Sequence, residues 1–293
     1  MLRKFLALQL LISLFVLSLF AETQNAILIS WDGALREDLQ ALMAAGKAPV
    51  VSNLKETGAF VEIQVVGHAT ATGPGHAQML TGLKSEDNKV ISNGDYYPIP
   101  EGWTIGERLE TALGKNKIFT IMVMGKAGSY MKATEGTPYF NAKKNIDVWD
   151  GDKDRDATTV NKAGLKYIEK YKNDRFFLFM HFRDPDSYGH SFGENSPEYE
   201  KAIITCDELV GKVIAKLKEL NLYEKTMVYV TADHGFDKGK KNHSNAPDIF
   251  LATNDKTVIY NGTQADITPT ILNQFGIDGS KLVPPLAGKP LNK

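Results

Sequence analysis

The chain is poor in cysteine, in net charge and in repetition. A single cysteine, Cys206, among 293 residues excludes an internal disulfide framework, so stability must come from a buried core. Lysines and arginines number 34 against 35 acidic residues, a net charge of −1, which leaves no bulk basic field for duplex nucleic acid or anionic lipid. No internal repeat, low-complexity tract or linker-like segment divides the chain. With 43% hydrophobic and 24% charged residues, the composition is that of an ordinary globular protein.

The first residues stand apart. Arg3 and Lys4 precede an uncharged apolar run from Phe5 to Phe20, and Ala21 offers a small residue before a cleavage point. This pattern is expected of a secretory signal peptide over 1–23, the alternative being an uncleaved N-terminal anchor. The expected protein is exported, to the periplasm or the medium, and touches a membrane only if that segment is retained. No cysteine follows the run, so a lipoprotein anchor is not expected. A single domain is expected over 24–293.

Within that domain apolar runs recur at 26–31, 60–66, 118–124, 176–182, 227–232 and 248–253. Several are apolar almost throughout, as strands covered on both faces are. Helical periodicity lies between them. It is clearest at 198–220, where Ile203, Cys206, Val210, Val213, Ile214 and Leu217 form one stripe, and it returns over 265–277. The alternation predicts an α/β fold with a largely parallel central sheet and helices on both faces. The segment 84–103, rich in Gly, Pro, Asn and Tyr, reads as a functional loop.

Ligands of open parallel sheets gather beyond the carboxyl ends of the strands. There the sequence places Asp32 in "ISWDG", Asp184, Asp186 and His190 in "FMHFRDPDSYGH", and Asp233 and His234 in "VTADHG", with His243 in the following loop. Singly, each has a structural reading. Asp32 could cap the helix starting near Arg36, Asp186 could start a turn after Pro185, and Asp184 is a turn former or a supporting group. Together, carboxylates and imidazoles at three strand ends suit zinc-like cations. Asp32, Asp186, His190, Asp233, His234 and His243 exceed one tetrahedral site, so two cations are expected, about 3.5–4 Å apart as in enzymes of phosphoryl chemistry.

"GHATATGPGHAQMLTG", 67–82, follows the second apolar run. Thr72 precedes Gly73, Pro74 and a helix-like segment. It is either a helix N-cap or a nucleophilic hydroxyl held where a helix terminus favours an anion. The cation-binding pattern favours the nucleophile, with the Gly73 N–H a candidate donor to the transferred group.

In this order, "SWDG", "TATGPGHAQMLTG", "DPDSYGH", "TADHG" and "KNHSNAPDIFLAT" resemble the alkaline phosphatase superfamily, and most closely its type I phosphodiesterase and nucleotide pyrophosphatase branch. The resemblance runs from Asp32 to the C-terminus. It implies an alkaline-phosphatase-like fold and two divalent metal ions, zinc being the expected identity. One would be held by Asp186, His190 and His243, the other by Asp32, Asp233, His234 and the hydroxyl of Thr72. Thr72 would be the nucleophile, and Asn93, Tyr96 and Tyr97 would lie near the substrate. The implied substrates are small phosphate esters or nucleotide-like molecules, cleaved at phosphodiester or pyrophosphate bonds through a phosphoryl-threonine.

One departure matters. The branch usually carries Asn three residues after the nucleophile, and this chain has Gly75. A phosphomonoesterase is therefore the alternative, with Lys126 of "VMGKAGSY" supplying charge for an additional anionic oxygen. A non-catalytic ligand-binding protein on the same fold is the reading from another class. Sulfatase chemistry is not expected, because the nucleophile position holds Thr72 and Cys206 lies elsewhere.

Overall fold

The computed structural model describes residues 24–293. The leader expected over 1–23 lies outside them. The six apolar runs are the strands β1 (Asn25–Trp31), β2 (Ala59–Gln64), β3 (Phe119–Val123), β5 (Phe176–Phe182), β6 (Thr226–Thr231) and β7 (Asp248–Thr253). Two short edge strands join them, β4 (Val148–Asp150) and β8 (Gly262–Thr263). Strands of three and two residues leave no periodicity to read, which is why the sequence did not reveal them.

The sheet order is β4-β3-β5-β1-β6-β7-β2-β8. β7 is antiparallel to both of its neighbours, β6 and β2; every other pairing is parallel. The reversal of β7 leaves β2 running in the same direction as β1, so the segment after β2 returns to the edge that follows β1, β5 and β6. At the centre, β1 and β5 are buried at every residue, which explains their unbroken apolar character.

The helices are α1 (Arg36–Ala44), α2 (Pro49–Thr57), α3 (Thr72–Thr81), α4 (Ser85–Asn88), α5 (Ile105–Leu113), α6 (Ala157–Lys170), α7 (Asp184–Phe192), α8 (Pro197–Glu219) and α9 (Ile267–Gln274). α8 packs with α1, α2, α6 and α7, whereas α9 packs with α3 and α5, so the sheet is covered on both faces. Of the predicted α8 stripe, Ile203, Cys206, Val210, Val213 and Leu217 are buried. Its ends follow ordinary capping rules: the Ser196 side chain accepts the Tyr199 N–H and Pro197 opens the first turn. Within 84–103, α4 is followed by a loop pinched by an antiparallel bridge between Val90 and Tyr96.

Register aligns the strand ends. Trp31 lies opposite Phe182, and Ser30 opposite Thr231. The Asp32 N–H then donates to Phe182 O at 2.9 Å and the Asp186 N–H to Asp32 O at 2.8 Å. Three loops thereby leave the sheet at one level with their acidic residues together. Among the described residues no helix is long and apolar enough to cross a membrane.

Candidate active site

Gly33 lets the chain turn at once after β1. Its φ is +72°, and a Cβ there would meet the Phe236 ring at 2.8 Å. Its N–H donates to Asp233 Oδ1 at 3.0 Å, tying the β1 loop to the β6 loop. Asp32 caps nothing: the residue preceding α1 is Leu35, with no side-chain cap. Asp184 is structural, accepting the Ala157 N–H at the start of α6 at 2.6 Å. Asp186 and His190 sit one turn apart on α7, with Asp186 Oδ1 and His190 Nε2 3.3 Å apart. His243 reaches the same point because Thr70 O accepts its Nδ1–H at 2.6 Å and the Thr70 hydroxyl donates to His243 O.

Three imidazoles converge. His190, His234 and His243 each turn Nδ1 to a backbone carbonyl, of Lys241, Gly235 and Thr70 respectively. A neutral imidazole so placed donates through Nδ1 and leaves Nε2 a bare acceptor, the state of a metal ligand. His190 Nε2 and His243 Nε2 lie 3.1 Å apart, a separation at which two lone pairs repel unless a cation lies between them. His243 Nε2 is 3.6 Å from Asp186 Oδ1. His234 Nε2 is 3.5 Å from both Asp32 Oδ1 and Asp233 Oδ2.

Among the described residues, Asp186 Oδ1, Asp233 Oδ2 and His234 Nε2 are buried without a hydrogen-bond partner. Buried polar atoms normally have one, so these atoms await something that is not a protein donor. Two donor groups result. Asp186, His190 and His243 form one, and Asp32, Asp186 and His234 the other, each with ligand atoms within 4.8 Å of one another. Asp186 thus reaches both. Asp233 adjoins the second group through Oδ2. Oxygen and imidazole-nitrogen donors in this arrangement fit divalent cations of the zinc type.

Thr72 is the first residue of α3, and the N-cap is Ala71. The Thr72 hydroxyl therefore caps nothing. Its Oγ1 lies 3.4 Å from Asp32 Oδ1 and 3.2 Å from Lys126 Nζ. Gly75 has a packing reason: a Cβ there would meet Asp233 O at 2.7 Å, so α3 can seat against the β6 loop only with glycine. An amide still stands at the nucleophile. Asn93, from the bridged loop, accepts the Gly73 N–H through Oδ1 at 2.7 Å. Tyr96 is half-buried and packs on the core; Tyr97 is 67% exposed.

Lys126 Nζ joins the cluster at 2.7 Å from Asp32 Oδ2 and 2.5 Å from Asp186 Oδ2. Burial works against its charge, but Asp32 and Asp186 outweigh it and raise its pKa. Asp32, fully buried, is likewise opposed by desolvation, yet Lys126 and His181 hold its carboxyl well below the usual range. Asp186 is pushed up by burial and by Asp32, and held below its ordinary value by His190, Lys126 and His234.

The sequence did not reveal His76 and His181. Both are fully buried, with ring centroids 4.4 Å apart. His181 Nε2 donates to Asp32 Oδ2 at 2.9 Å, and His76 Nδ1 lies 3.3 Å from Asp233 Oδ2. His181 backs Asp32, as outer-shell partners of metal sites do, whereas the His76 Nδ1–H donates to Thr72 O at 2.9 Å beside Asp233. The available signals were a histidine inside the apolar strand "FFLFMHF" and another four residues past Thr72.

Comparison with known proteins accords with this arrangement. The chain is 28% identical over 226 residues to ectonucleotide pyrophosphatase/phosphodiesterase family member 1 of Homo sapiens, covering 74% of this chain and 24% of that protein. It is 22% identical to bis(5'-adenosyl)-triphosphatase ENPP4 of Pongo abelii, covering 84% of this chain and 55% of that one. The chain thus spans about a quarter of the length of the first of these relatives and about half of the second. Among solved structures it shares its fold with an inactive murine ectonucleotide pyrophosphatase/phosphodiesterase 5 in complex with AMP (TM-score 0.60, 15% identity, 87% of this chain and 95% of that chain). It also shares it with the lipoteichoic acid synthase LtaP of Listeria monocytogenes (TM-score 0.67, 14% identity, 92% and 76%). The family profile described as type I phosphodiesterase / nucleotide pyrophosphatase matches residues 26–274, and the chain belongs to that family.

Proposed function

We propose that the chain hydrolyses phosphodiester or pyrophosphate bonds of small, nucleotide-like substrates, with Thr72 as the nucleophile and two divalent cations, zinc being the best fit, as cofactors. The observation that carries this reading is the meeting of the Thr72 hydroxyl with three convergent imidazole Nε2 atoms and three carboxylates at one sheet edge. Asp186, His190 and His243 would hold one cation. Asp32, Asp233, His234 and the Thr72 oxygen would hold the other, with Asp186 in reach of both. Such cations supply positive charge to phosphoryl oxygens and favour ionisation of a nearby hydroxyl.

Thr72 Oγ1 forms a bond to phosphorus and the ester bond to the leaving group breaks, giving a phosphoryl-threonine. Water then cleaves that ester and restores the hydroxyl. The Lys126 ammonium stands beside the nucleophile, donating to Oγ1 at 3.2 Å. Asn93 anchors the Gly73 N–H and presents its amide to the transferred group. An incoming phosphoryl oxygen competes with Asn93 Oδ1 for that N–H. Tyr96 and Tyr97, on the same loop, would meet the remainder of the substrate.

Relatives named as ectonucleotide enzymes support an exported protein. Cell fractionation locating the chain in the cytoplasm would exclude it.

The test is hydrolysis of methyl nitrophenyl phosphate by the zinc-loaded chain, with Thr72→Ala alongside. Turnover by the parent and none by a variant of equal cation content supports the reading. An inert, cation-loaded parent excludes it.

A further inference from the structure

Lys126 is the one group of the cluster that metal-ligand chemistry leaves unexplained. Its side chain is only 12% exposed, and lysine is seldom buried so far without a specific partner. The partners are informative. Nζ lies on Asp32 Oδ2 and Asp186 Oδ2, at 2.7 and 2.5 Å, and on Thr72 Oγ1, at 3.2 Å. The other oxygens of the same two carboxylates face the imidazoles, Asp32 Oδ1 toward His234 Nε2 and Asp186 Oδ1 toward the Nε2 atoms of His190 and His243. The ammonium therefore binds the carboxylate oxygens other than those facing His190, His234 and His243. Its backbone is fixed there. A Cβ at Gly125 would meet His181 O at 2.4 Å, and the Arg155 N–H binds Gly125 O at 2.8 Å.

Charge counting gives this placement a consequence. Asp32, Asp186 and Asp233 against two divalent cations would leave one net positive charge, with the imidazoles and the Thr72 hydroxyl neutral. That matches a phosphodiester, which carries one negative charge. Lys126 makes the net charge two. That matches a phosphomonoester, which is close to a dianion at neutral pH because its second pKa is about 6. The three ammonium hydrogens are used by Asp32, Asp186 and Thr72. Once Thr72 Oγ1 becomes an ester oxygen it is a poor acceptor, and the third hydrogen is released to a phosphoryl oxygen.

We infer that this site also hydrolyses dianionic phosphomonoesters, and that Lys126 is the residue that admits them. The inference rests on the hydrolase reading above and uses the same step. The Thr72 Oγ–P bond forms as the hydroxyl proton passes to water, and the P–O bond to the leaving group breaks with its electron pair on the leaving oxygen, which takes a proton back from water. A second water cleaves the phosphoryl-threonine to orthophosphate and the free hydroxyl.

The test compares zinc-loaded parent, Lys126→Met and Lys126→Arg on nitrophenyl phosphate and methyl nitrophenyl phosphate, with calorimetric titration of orthophosphate and elemental analysis of each protein. The parent should turn over both esters. Lys126→Met should lower kcat/KM for the monoester about 100-fold and for the diester by less than about tenfold, and should weaken orthophosphate binding about tenfold or more at unchanged cation content. Lys126→Arg should keep the monoester-to-diester ratio within about tenfold of the parent. A parent that cleaves only the diester overturns the inference. So do equal losses on both esters, loss of cations in Lys126→Met, or an Arg variant with the ratio of the Met variant. A parent inert on both esters defeats the hydrolase reading instead. The orthophosphate titration then still judges Lys126, and equal affinity in parent and Lys126→Met overturns its role.

Discussion

Thr72 and His243 are the residues at which the chemistry is most sharply testable, because each has a single polar assignment. Among the described residues Thr72 Oγ1 makes no cap and meets Asp32 and Lys126 alone. Thr72→Ala should lower turnover on the order of 10³-fold or more while retaining both cations, measured by steady-state kinetics and elemental analysis. Near-parental activity would remove Thr72 from the nucleophile role. His243 offers Nε2 to the group that also holds Asp186 and His190. His243→Ala should drop the cation content from two per chain to one, and an unchanged content would take His243 out of the site. Asp32, Asp233 and His234 were legible in the sequence because each follows an apolar strand within three positions, whereas Thr72 and His243 were read from the motifs around them. Lys126 was legible only as a residue after a strand. Its meaning depends on two carboxylates 94 and 60 residues away in the chain, and no local pattern encodes such a meeting. His76 and His181 were missed because a histidine in an apolar setting looks like core until its partner is known.

At the scale of elements, α3 and the β6 loop fit together through glycine. Gly75 lies on the first turn of α3, against the main chain of Asp233. Gly75→Ala places a methyl 2.7 Å from a carbonyl oxygen that cannot swing away. The helix must shift or the loop must open, and overpacking of this sort costs about 1–3 kcal/mol. The expected result is a lower Tm in calorimetry and a fall in kcat/KM, since the same shift moves Thr72 relative to Asp32. A variant with parental Tm and activity would show that the seat is looser than the geometry implies. The long elements of the fold, β1, β5, β6 and α8, were readable because each repeats one pattern over six or more residues. The short edge strands β4 and β8 were not, since their pairing is set by neighbouring strands. The reason for Gly75 was not readable either, because it lies in a contact between α3 and a loop more than 150 residues away.

Two sets of carboxylates respond to solution conditions across the whole molecule, and they should respond differently. Asp38 on α1 is raised to about 7, first by burial and then by Glu194 beside it. Its folded state favours the protonated form, so folding takes up a proton between the unfolded carboxyl range near pH 4 and about 7. The stability this group contributes is complete below that range and is lost as pH rises through about 7. Asp38→Asn should therefore flatten the pH dependence of Tm over this window and give a higher Tm than the parent at pH 8. An unchanged profile would show that Asp38 ionises freely. Asp32, Asp186 and Asp233 act through cations instead. They lie together, buried, at the end of the sheet's central strands, with only Lys126 and the imidazoles for compensation among the described residues. Removing bound cations leaves three buried carboxylates facing one ammonium across the strands that hold the molecule together. Each tenfold excess of cation over its dissociation constant stabilises the folded chain by about 1.4 kcal/mol, or roughly 3–6 °C in Tm for a chain somewhat below this size. Chelation should lower Tm by several degrees, and added zinc should restore it in proportion to the logarithm of its concentration. The His243→Ala variant should recover part of that shift and Thr72→Ala most of it. A Tm indifferent to chelation in a protein stripped of its cations would mean that the six donors are held in place by the fold alone, and that cation binding and folding are uncoupled in this chain.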